Sequence, residues 1–331
     1  MARHFSGIFM IGFLAVALGI AGQAAWHNRH ALETQDWSSI IQGKTTRAYE
    51  KKFDEALVLN DVSTRGWGTF NQTLFREGKK GVVIDADDTY FTSEEYAYYP
   101  DAQENAAQKM KYIEEIHNKF KARGARLVVL PIPAKARILA GDYPSYNKPV
   151  YDYFLKSLRN LHIAAPNVLT AFEGKDVFLK YDTHWTPDGA KIAAQTLDGF
   201  YDGGKVFETA AKDPVQHEGD LARYAPLFEN KTEEIREAET SSQGDDLFGD
   251  EEIPVVLVGT SYSANPSWNF EGALKEALNA DVLNMADEGL GPFETMKKYL
   301  NSDIYKTKRP DIIVWEIPER YLVMPYNVSA P

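Results

Sequence analysis

Three residues of this sequence, Ser261, His184 and Asp182, are of the types that together carry out acyl transfer. A serine hydroxyl becomes an effective nucleophile when a histidine removes its proton, and a carboxylate holds that histidine in the required tautomer. Asp182 and His184 are separated by one residue, so both side chains face one pocket if the backbone is extended there. The sequence therefore predicts Ser261 as nucleophile, His184 as general base and Asp182 as the group that orients His184.

Apolar stretches lead into both parts of this constellation. Residues 253–258 are almost all apolar and rich in valine, which predicts a strand buried on both faces that ends at Gly259 and Ser261. Residues 176–180 predict a second strand, which leads into Asp182 and His184. Open α/β sheets bind ligands beyond the carboxyl ends of their strands. We therefore expect the three residues to meet at that edge of a sheet.

Helical and extended patterns alternate through the rest of the chain. Residues 105–123 carry apolar side chains at three- and four-residue spacing, which predicts an amphipathic helix, and the apolar run 126–131 predicts a buried strand after it. The segment 131–137 is expected to leave that strand as a stiff cationic loop, and the acidic segment 232–252 to be an exposed loop or hairpin. This order of elements predicts a three-layer α/β sandwich with a mostly parallel sheet.

Composition excludes several kinds of chemistry. The chain has 331 residues, a formal net charge of −12 and no cysteine. Disulfides, thiolate catalysis and cysteine-ligated metal clusters are therefore excluded. The absence of a basic patch argues against nucleic-acid binding, whereas an anionic polysaccharide remains a possible substrate because a local basic groove can coexist with a negative total charge.

The N-terminus carries an uncharged run over residues 5–26, preceded by Arg3. Its length, about twenty residues, suits an uncleaved membrane anchor, and a cleaved export signal is the alternative. With Arg3 on the cytoplasmic side, either reading places the rest of the chain outside the cytoplasm. We therefore expect residues 1–26 to be a signal peptide or anchor in the inner membrane, 27–64 a connector, and 65–331 the catalytic domain.

Acyl transfer also requires hydrogen-bond donors for the tetrahedral oxyanion. The backbone N–H of Ser261 is one candidate. Gly289 and Gly291 are further candidates, because glycine allows the backbone to approach a substrate closely, and a plain turn is the alternative for both.

Three other side chains are candidates for contact with substrate. Arg320 is predicted to bind an anionic group or the oxyanion, with an ion pair to Glu316 or Glu319 as the structural alternative. Lys135 is predicted to contact an anionic polymer, with a solvated loop lysine as its alternative. Tyr262 is the third candidate, through its aromatic ring.

Two other functions compete with acyl transfer. Residues 82–89 match the strand-plus-DxDxT pattern of haloacid-dehalogenase-like phosphotransferases, in which Asp85 would attack phosphorus and Asp87 would act as acid and base with Mg²⁺. The second alternative is a non-catalytic scaffold that binds polysaccharide by stacking sugar rings on aromatic side chains. The side chains considered for that stacking are Trp185, Trp268, Tyr262 and Trp315.

Four segments resemble one known family, the AlgJ and AlgX alginate O-acetyltransferases with their SGNH-hydrolase-like domain. These segments are residues 182–186, 259–263, 315–320 and 133–135, and the similarity covers most of residues 65–325. The resemblance implies Ser261 as nucleophile, His184 as base and Asp182 as its partner, in a permuted order with Asp–His before Ser. It also implies a periplasmic enzyme that acetylates an exopolysaccharide, with a membrane-bound O-acyltransferase as the acetyl donor partner and no metal or cofactor.

The resemblance is closer to the AlgJ branch, because of the anchor-like N-terminus and the absence of room for a carbohydrate-binding domain. Two segments depart from the pattern. Trp315 and Glu316 stand where SGNH enzymes are expected to carry an asparagine block, and 89–91 replaces an aromatic Gly-Trp-Leu-Phe segment. The oxyanion donors and the identity of the polymer therefore stay open at this point.

Overall fold

The computed structural model describes residues 81–223, 231–242 and 253–325 as continuous segments, together with some helical residues between 19 and 70. The chain divides into two compact units, Met1–Phe75 with Pro226–Glu229, and Arg76–Ala225 with Asn230–Pro331. Among the described residues, no helix is both long and apolar enough to cross a bilayer. Most of the predicted anchor, and residues 243–252 of the acidic segment, lie outside the described residues.

The second unit contains ten described strands and eleven described α-helices. The strands are β1 Val82–Ile84, β2 Tyr90–Thr92, β3 Arg126–Ile132, β4 Phe207–Ala211, β5 Val215–Glu218, β6 Thr232–Ile235, β7 Ala238–Ser242, β8 Val255–Val258, β9 Val282–Asn284 and β10 Ile312–Pro318. The helices are α1 Ala102–Ala122, α2 Lys135–Leu139, α3 Pro149–Asn160, α4 Val168–Phe172, α5 Pro187–Gln195, α6 Asp220–Arg223, α7 Ser261–Ala264, α8 Phe270–Leu278, α9 Gly291–Asn301, α10 Asp303–Thr307 and α11 Arg320–Val323.

The central sheet has four strands in the order β3-β10-β8-β9, and every neighbouring pair is parallel. Strand β10 lies in the middle, and all seven of its residues are buried. All four residues of β8 are also buried, as its continuous apolar sequence predicts. Because the strands are parallel, the segments that follow β3, β8 and β10 emerge at the same edge of the sheet.

Helices cover both faces of this sheet and make a three-layer sandwich. Alternate residues of the strands face opposite sides, so each strand contributes to two separate cores. One core packs the sheet against α4, α5 and α8, and the other packs it against α1, α3 and α9. The predicted α/β sandwich with a mostly parallel sheet is confirmed. Helix α5 begins with Pro187 in its first turn, and the Thr186 hydroxyl accepts the Gly189 N–H at 3.0 Å.

Two predicted elements differ from the structure. Residues 176–180 form no regular strand, and only an isolated antiparallel bridge joins Phe178 to Trp185. Their apolar side chains instead fill the core beneath α5, where burial rather than strand pairing explains the sequence. The cationic segment after β3 is not a stiff loop, because its second half forms the short helix α2.

The DxDxT segment forms the turn of an antiparallel hairpin between β1 and β2, separate from the central sheet. The Asp85 carboxylate accepts the backbone N–H groups of Asp87 and Thr89, both at 2.9 Å. An aspartate that closes its own turn in this way is a common feature of loops. The hairpin therefore explains the segment, and its geometry does not support the phosphotransferase alternative for Asp85 and Asp87.

Candidate active site

Ser261 follows the carboxyl end of β8 and is the first residue of α7. Thr260 is the N-cap of that helix, and its own N–H donates to the Glu316 carboxylate at 2.7 Å. Ser263 donates its hydroxyl to the same carboxylate at 3.1 Å. Glu316 lies on β10, the strand next to β8, so the sheet itself fixes the turn that carries Ser261. Burial raises the pKa of Glu316, and the hydrogen bonds from Thr260 and Ser263 oppose that rise.

His184 connects the two predicted parts of the site. Its Nε2 lies 2.7 Å from the Ser261 Oγ, and its Nδ1 lies 2.6 Å from the Asp182 Oδ1. An ionised Asp182 can only accept, so Nδ1 carries the proton and Nε2 is free to accept the serine hydroxyl proton. The structure thus places side by side the three residues that the sequence analysis selected, in the arrangement that a serine nucleophile requires.

Asp182 is buried, and both of its carboxylate oxygens are engaged. Oδ1 accepts the backbone N–H and the ring Nδ1–H of His184, while Oδ2 accepts from His217 Nε2 and from the Asp220 N–H, each at 2.9 Å. Burial acts to raise the pKa of Asp182, but the hydrogen bonds from the two histidines outweigh it and hold that pKa well below its usual range. Asp182 therefore remains a carboxylate over the working range of pH.

The backbone between the two catalytic candidates is anchored by its own contacts. The Tyr262 hydroxyl donates to the Thr183 carbonyl at 2.6 Å, and the Thr183 N–H donates to the Asp220 carboxylate at 2.7 Å. Burial and the charge of Asp182 raise the pKa of Asp220. Since Tyr262 is the residue after Ser261, its hydroxyl joins helix α7 directly to the segment that carries His184.

Two aromatic side chains, Tyr262 and Trp268, pack against the ring of His184. Its ring lies 4.8 Å from that of Tyr262 and stacks at 5.6 Å on Trp268. Trp185, Trp268, Trp315 and Tyr262 are all 0–1% exposed. The prediction that these rings stack on sugars is wrong, because they are packed in the protein interior. Tyr262 likewise serves to position the site rather than to present its ring to substrate.

Lys135 is buried rather than solvated, so its ammonium is not presented to a polymer. Its Nζ donates to the backbone carbonyls of Tyr90, Lys180 and Asp182 at 2.5, 3.0 and 2.9 Å. Burial lowers its pKa to about 8, although nearby carboxylates, Glu95 foremost, oppose that change. Both readings of Lys135 from sequence are therefore wrong, and its role is to clamp the backbone that leads into Asp182 and His184.

Arg320 begins α11 just beyond the carboxyl end of β10. Its Nε pairs with Glu94 at 3.0 Å, and its guanidinium lies 5.8 Å over the Tyr262 ring. Arg320 thus forms an ion pair with Glu94, and the expected pairing with Glu316 or Glu319 is wrong. Glu319 instead accepts from Arg137. Arg320 therefore borders Tyr262 with its guanidinium partly neutralised, and its contact with substrate or oxyanion stays a prediction.

Gly289 lies in the segment between β9 and α9, and Gly291 is the first residue of α9, with φ of 77° and 71°. Only glycine adopts this region readily, so backbone conformation accounts for both residues. The segment is tied to the nucleophile's strand where the Asp287 N–H donates to the Gly259 carbonyl at 3.3 Å. Donation by either glycine to an oxyanion remains a prediction.

Sequence reasoning missed His217 and Asp220, which complete the surroundings of Asp182. Neither follows an apolar run or belongs to a recognisable motif, so no sequence signal marks them. The nearest polar atoms of Asp182, His184 and Asp220 lie within 4.8 Å of one another, as in a metal site. However, both oxygens of Asp182 and both ring nitrogens of His184 already have protein partners. In the described structure, the polar atoms of Asp182 and His184 are therefore engaged within the protein.

Comparison with protein families gives an independent view of the same region. Residues 82–319 match the family described as the SGNH hydrolase-like domain of the acetyltransferase AlgX. A probable alginate O-acetylase AlgJ of Pseudomonas fluorescens is 37% identical, over 96% of this chain and 86% of the relative. The corresponding protein of Azotobacter vinelandii is 34% identical, over 98% of this chain and 90% of the relative.

Solved structures agree with the sequence comparisons. The O-acetyltransferase domain of Pseudomonas putida AlgJ is 35% identical and superposes with a TM-score of 0.69, covering 75% of this chain and 94% of that domain. Pseudomonas aeruginosa AlgX gives a TM-score of 0.58 at 26% identity, over 72% of this chain and 62% of AlgX. The SGNH-hydrolase-like fold is thereby confirmed. The chain belongs to the family of SGNH hydrolase-like acetyltransferases that includes AlgJ and AlgX, and it is an O-acetyltransferase.

Proposed function

We propose that Ser261, His184 and Asp182 form a catalytic triad that transfers acetyl groups through an acetyl-serine intermediate. The observation that carries this proposal is the chain of short hydrogen bonds from Ser261 Oγ to His184 Nε2, 2.7 Å, and from His184 Nδ1 to Asp182 Oδ1, 2.6 Å. The family supplies the reaction class, and these contacts support the assignment of its three residues.

In the first half-reaction, His184 takes the Ser261 hydroxyl proton as Oγ attacks the acetyl carbonyl carbon of the donor. A tetrahedral oxyanion forms, with the Ser261 N–H as a candidate donor and Gly289, Gly291 and Arg320 as further candidates. When the intermediate collapses, the bond to the donor breaks, and His184 returns the proton to the leaving group. Ser261 now carries the acetyl ester.

In the second half-reaction, His184 removes the proton of a sugar hydroxyl, whose oxygen attacks the acetyl carbonyl of the ester. Collapse transfers the acetyl group to the sugar and restores Ser261 with the proton held by His184. Water can replace the sugar hydroxyl, because it presents the same attacking group. A slow acetylesterase activity should therefore accompany transfer.

The proposed acceptor is an alginate-like exopolysaccharide, supported by relatives that are named alginate O-acetylases. The proposed location is the periplasm, with residues 5–26 as an inner-membrane anchor and a membrane-bound O-acyltransferase as the acetyl donor partner. The uncharged N-terminal run preceded by Arg3 supports this location.

The test follows release of para-nitrophenol from its acetyl ester by the full-length chain in EDTA, with intact-mass measurement of the protein. Wild type should turn over and gain the mass of one acetyl group, and Ser261→Ala should do neither. Ser241→Ala, an exposed serine on β7, is the matched control and should behave as wild type. A folded Ser261→Ala protein that turns over normally would remove the basis of the proposal.

The acceptor is tested separately, by adding polymers to the acetylated protein. Deacetylated alginate should gain acetyl groups faster than a neutral glucan does. If neither polymer gains acetyl groups while the ester still hydrolyses, the triad stands and the acceptor assignment fails.

A further inference from the structure

His217 is a second histidine on the catalytic carboxylate. It comes from β5, in the two-stranded antiparallel sheet of β5 and β6, and not from the central sheet. Its Nε2 lies 2.9 Å from the Asp182 Oδ2, and its ring meets Trp268 edge-on at 5.3 Å. Trp268 also stacks on His184, so the two histidines contact the same carboxylate and the same indole ring.

The two oxygens of Asp182 have different sources of support. Oδ1 accepts only from His184, the residue that it orients, through the backbone N–H and Nδ1. Oδ2 accepts from His217 and from the N–H of Asp220, a residue that lies just beyond β5. A carboxylate rotates about its Cβ–Cγ bond unless both oxygens are held. The orientation of Oδ1 towards His184 therefore depends on what holds Oδ2.

We propose that His217 is a positioning residue for the triad: its Nε2–H holds the Asp182 Oδ2, so that Oδ1 is aimed at His184, and its charge state sets how much of the carboxylate's negative charge His184 experiences. This proposal rests on the proposed role of the triad. In this proposal, the β5–β6 sheet supports catalysis by holding Asp182 and does not itself contact substrate.

The charge of His217 follows from the groups that surround it. The hydrogen bond that His217 donates to Asp182 raises the pKa of His217, while burial opposes that rise. Glu233 on β6, which is paired with His217, raises the pKa of His217 further, and Arg223 of α6 acts to lower it. Trp268 closes the remaining side without charge. His217 therefore titrates above the usual histidine value of about 6.5.

Protonated His217 weakens the base. A cation on Oδ2 neutralises part of the carboxylate's charge and disfavours the imidazolium that forms on His184 during the reaction. Neutral His217 still donates its Nε2–H, so positioning persists while the full charge of Asp182 acts on His184. The rate of ester hydrolysis should therefore rise with pH through one deprotonation more than the base alone would give, that of His217.

The test compares two substitutions in the full-length chain. Glutamine places an uncharged N–H donor near the position of His217 Nε2, whereas leucine removes the donor. His217→Leu should lower kcat for para-nitrophenyl acetate about 10-fold, the effect of losing one hydrogen bond to a charged group, with KM changed less than about two-fold. His217→Gln should recover most of kcat, and its acid limb should show one deprotonation in place of two.

Gln216→Leu is the matched control, because it makes the same change of polarity on the same strand at an exposed position. It should retain the wild-type rate and pH profile. Wild-type kcat and an unchanged acid limb in both His217 variants would overturn the proposal. If His217→Leu does not fold, His217→Gln decides the question by its acid limb alone.

A second measurement does not depend on turnover. Imidazole ¹H–¹⁵N NMR follows the titration of each histidine, and His217→Gln should raise the proton affinity of His184 by removing the neighbouring cation. If the His184 titration is the same in wild type and His217→Gln, the proposal fails even when the enzyme is active. If this titration moves but no ester is hydrolysed, the coupling is supported and the proposed function fails instead.

Discussion

In the proposed triad, Asp182 is the residue whose charge is buried and whose carboxylate accepts the Nδ1–H of His184. Asp182→Asn keeps the size of the side chain but removes the charge, and its amide can donate where the carboxylate accepts. His184 is then free to adopt the other tautomer, with Nε2 protonated and unable to accept the Ser261 proton. We expect kcat for para-nitrophenyl acetate to fall by a factor on the order of 10³–10⁴.

Asp188→Asn provides the comparison for this substitution. Asp188 is an exposed aspartate in the first turn of α5, close in sequence to the site but without a contact to His184 in the described structure. Its substitution should leave kcat unchanged. Less than a 10-fold loss in Asp182→Asn, with the far-ultraviolet circular dichroism of wild type, would show that Asp182 does not control the base.

At this scale the sequence reveals residues that share a motif and conceals those that meet only in space. Asp182 and His184 are neighbours in one segment, and Ser261 follows an apolar strand, so type and spacing select all three. No motif or apolar run identifies His217, because it reaches Asp182 from the separate two-stranded sheet of β5 and β6. Lys135 was misread for a related reason, since its cationic sequence environment gives no sign of the three backbone carbonyls that surround its ammonium.

Ser261 follows the end of strand β8, in a turn whose Thr260 and Ser263 donate hydrogen bonds to the Glu316 carboxylate. Gly259, between β8 and α7, has no room for a side chain there. A Cβ at this position would lie 2.5 Å from the Glu316 carboxylate and 2.9 Å from the Ser263 hydroxyl oxygen. The carboxylate cannot move away without giving up its hydrogen bonds to Thr260 and Ser263. The close approach of β8 to β10 thus demands glycine, whatever its φ.

We therefore expect Gly259→Ala to move Ser261 away from His184. The free energy of unfolding should fall by about 1–3 kcal/mol, the usual effect of overpacking, and kcat should fall by at least about 10-fold. Urea unfolding and ester hydrolysis measure the two effects. Gly141→Ala is the control, because a Cβ there meets nothing within 4 Å. Wild-type kcat in Gly259→Ala would mean that the Glu316 contact does not position the nucleophile.

Elements with strong periodicity were predicted well, and those defined by tertiary contacts were not. The apolar runs of β3, β8 and β10 and the amphipathic pattern of α1 are local signals, which reflect burial on two faces or one. Residues 176–180 carry the same apolar signal, yet they lie under α5 without a strand partner beyond one bridge. Hydrophobic pattern reports burial in both cases and cannot distinguish pairing from packing.

On the scale of the whole molecule, buried carboxyl groups concentrate at the carboxyl edge of the sheet. Glu316 lies on β10 and Glu319 just beyond it, and Glu95 follows β2. The Ala134 N–H donates to Glu319 and the Ala136 N–H donates to Glu95, so the segment after β3 contacts both carboxyl groups. Burial raises the pKa of all three, although bonded donors and nearby cations oppose it. Such a concentration of buried acids, in a chain of net charge −12, makes stability sensitive to pH.

The direction of that sensitivity follows from which state binds protons. A carboxyl with a raised pKa holds its proton in the folded protein after the unfolded chain has lost it, so stability falls as pH rises from about 4.3 through the folded value. His217 acts the same way, because its raised pKa gives stability below about 6.5 that is lost as pH rises through its folded pKa. Asp182 acts oppositely, since its lowered pKa stabilises the fold above about 4, and this is lost on acidification.

The free energy of unfolding should therefore be higher at pH 5.5 than at pH 7.5, and should fall again below about pH 4. Urea unfolding at pH 5.5, at pH 7.5 and at a pH below about 4 measures these differences. Glu316→Gln should reduce the change between pH 5.5 and 7.5, because the amide does not titrate, whereas Glu114→Gln on the exposed face of α1 should leave it intact. Equal stability at pH 5.5 and 7.5 would mean that the buried acids are already protonated, or already charged, throughout that interval. The buried carboxyl groups at the carboxyl edge of the sheet would then not be the cause of any dependence of stability on pH.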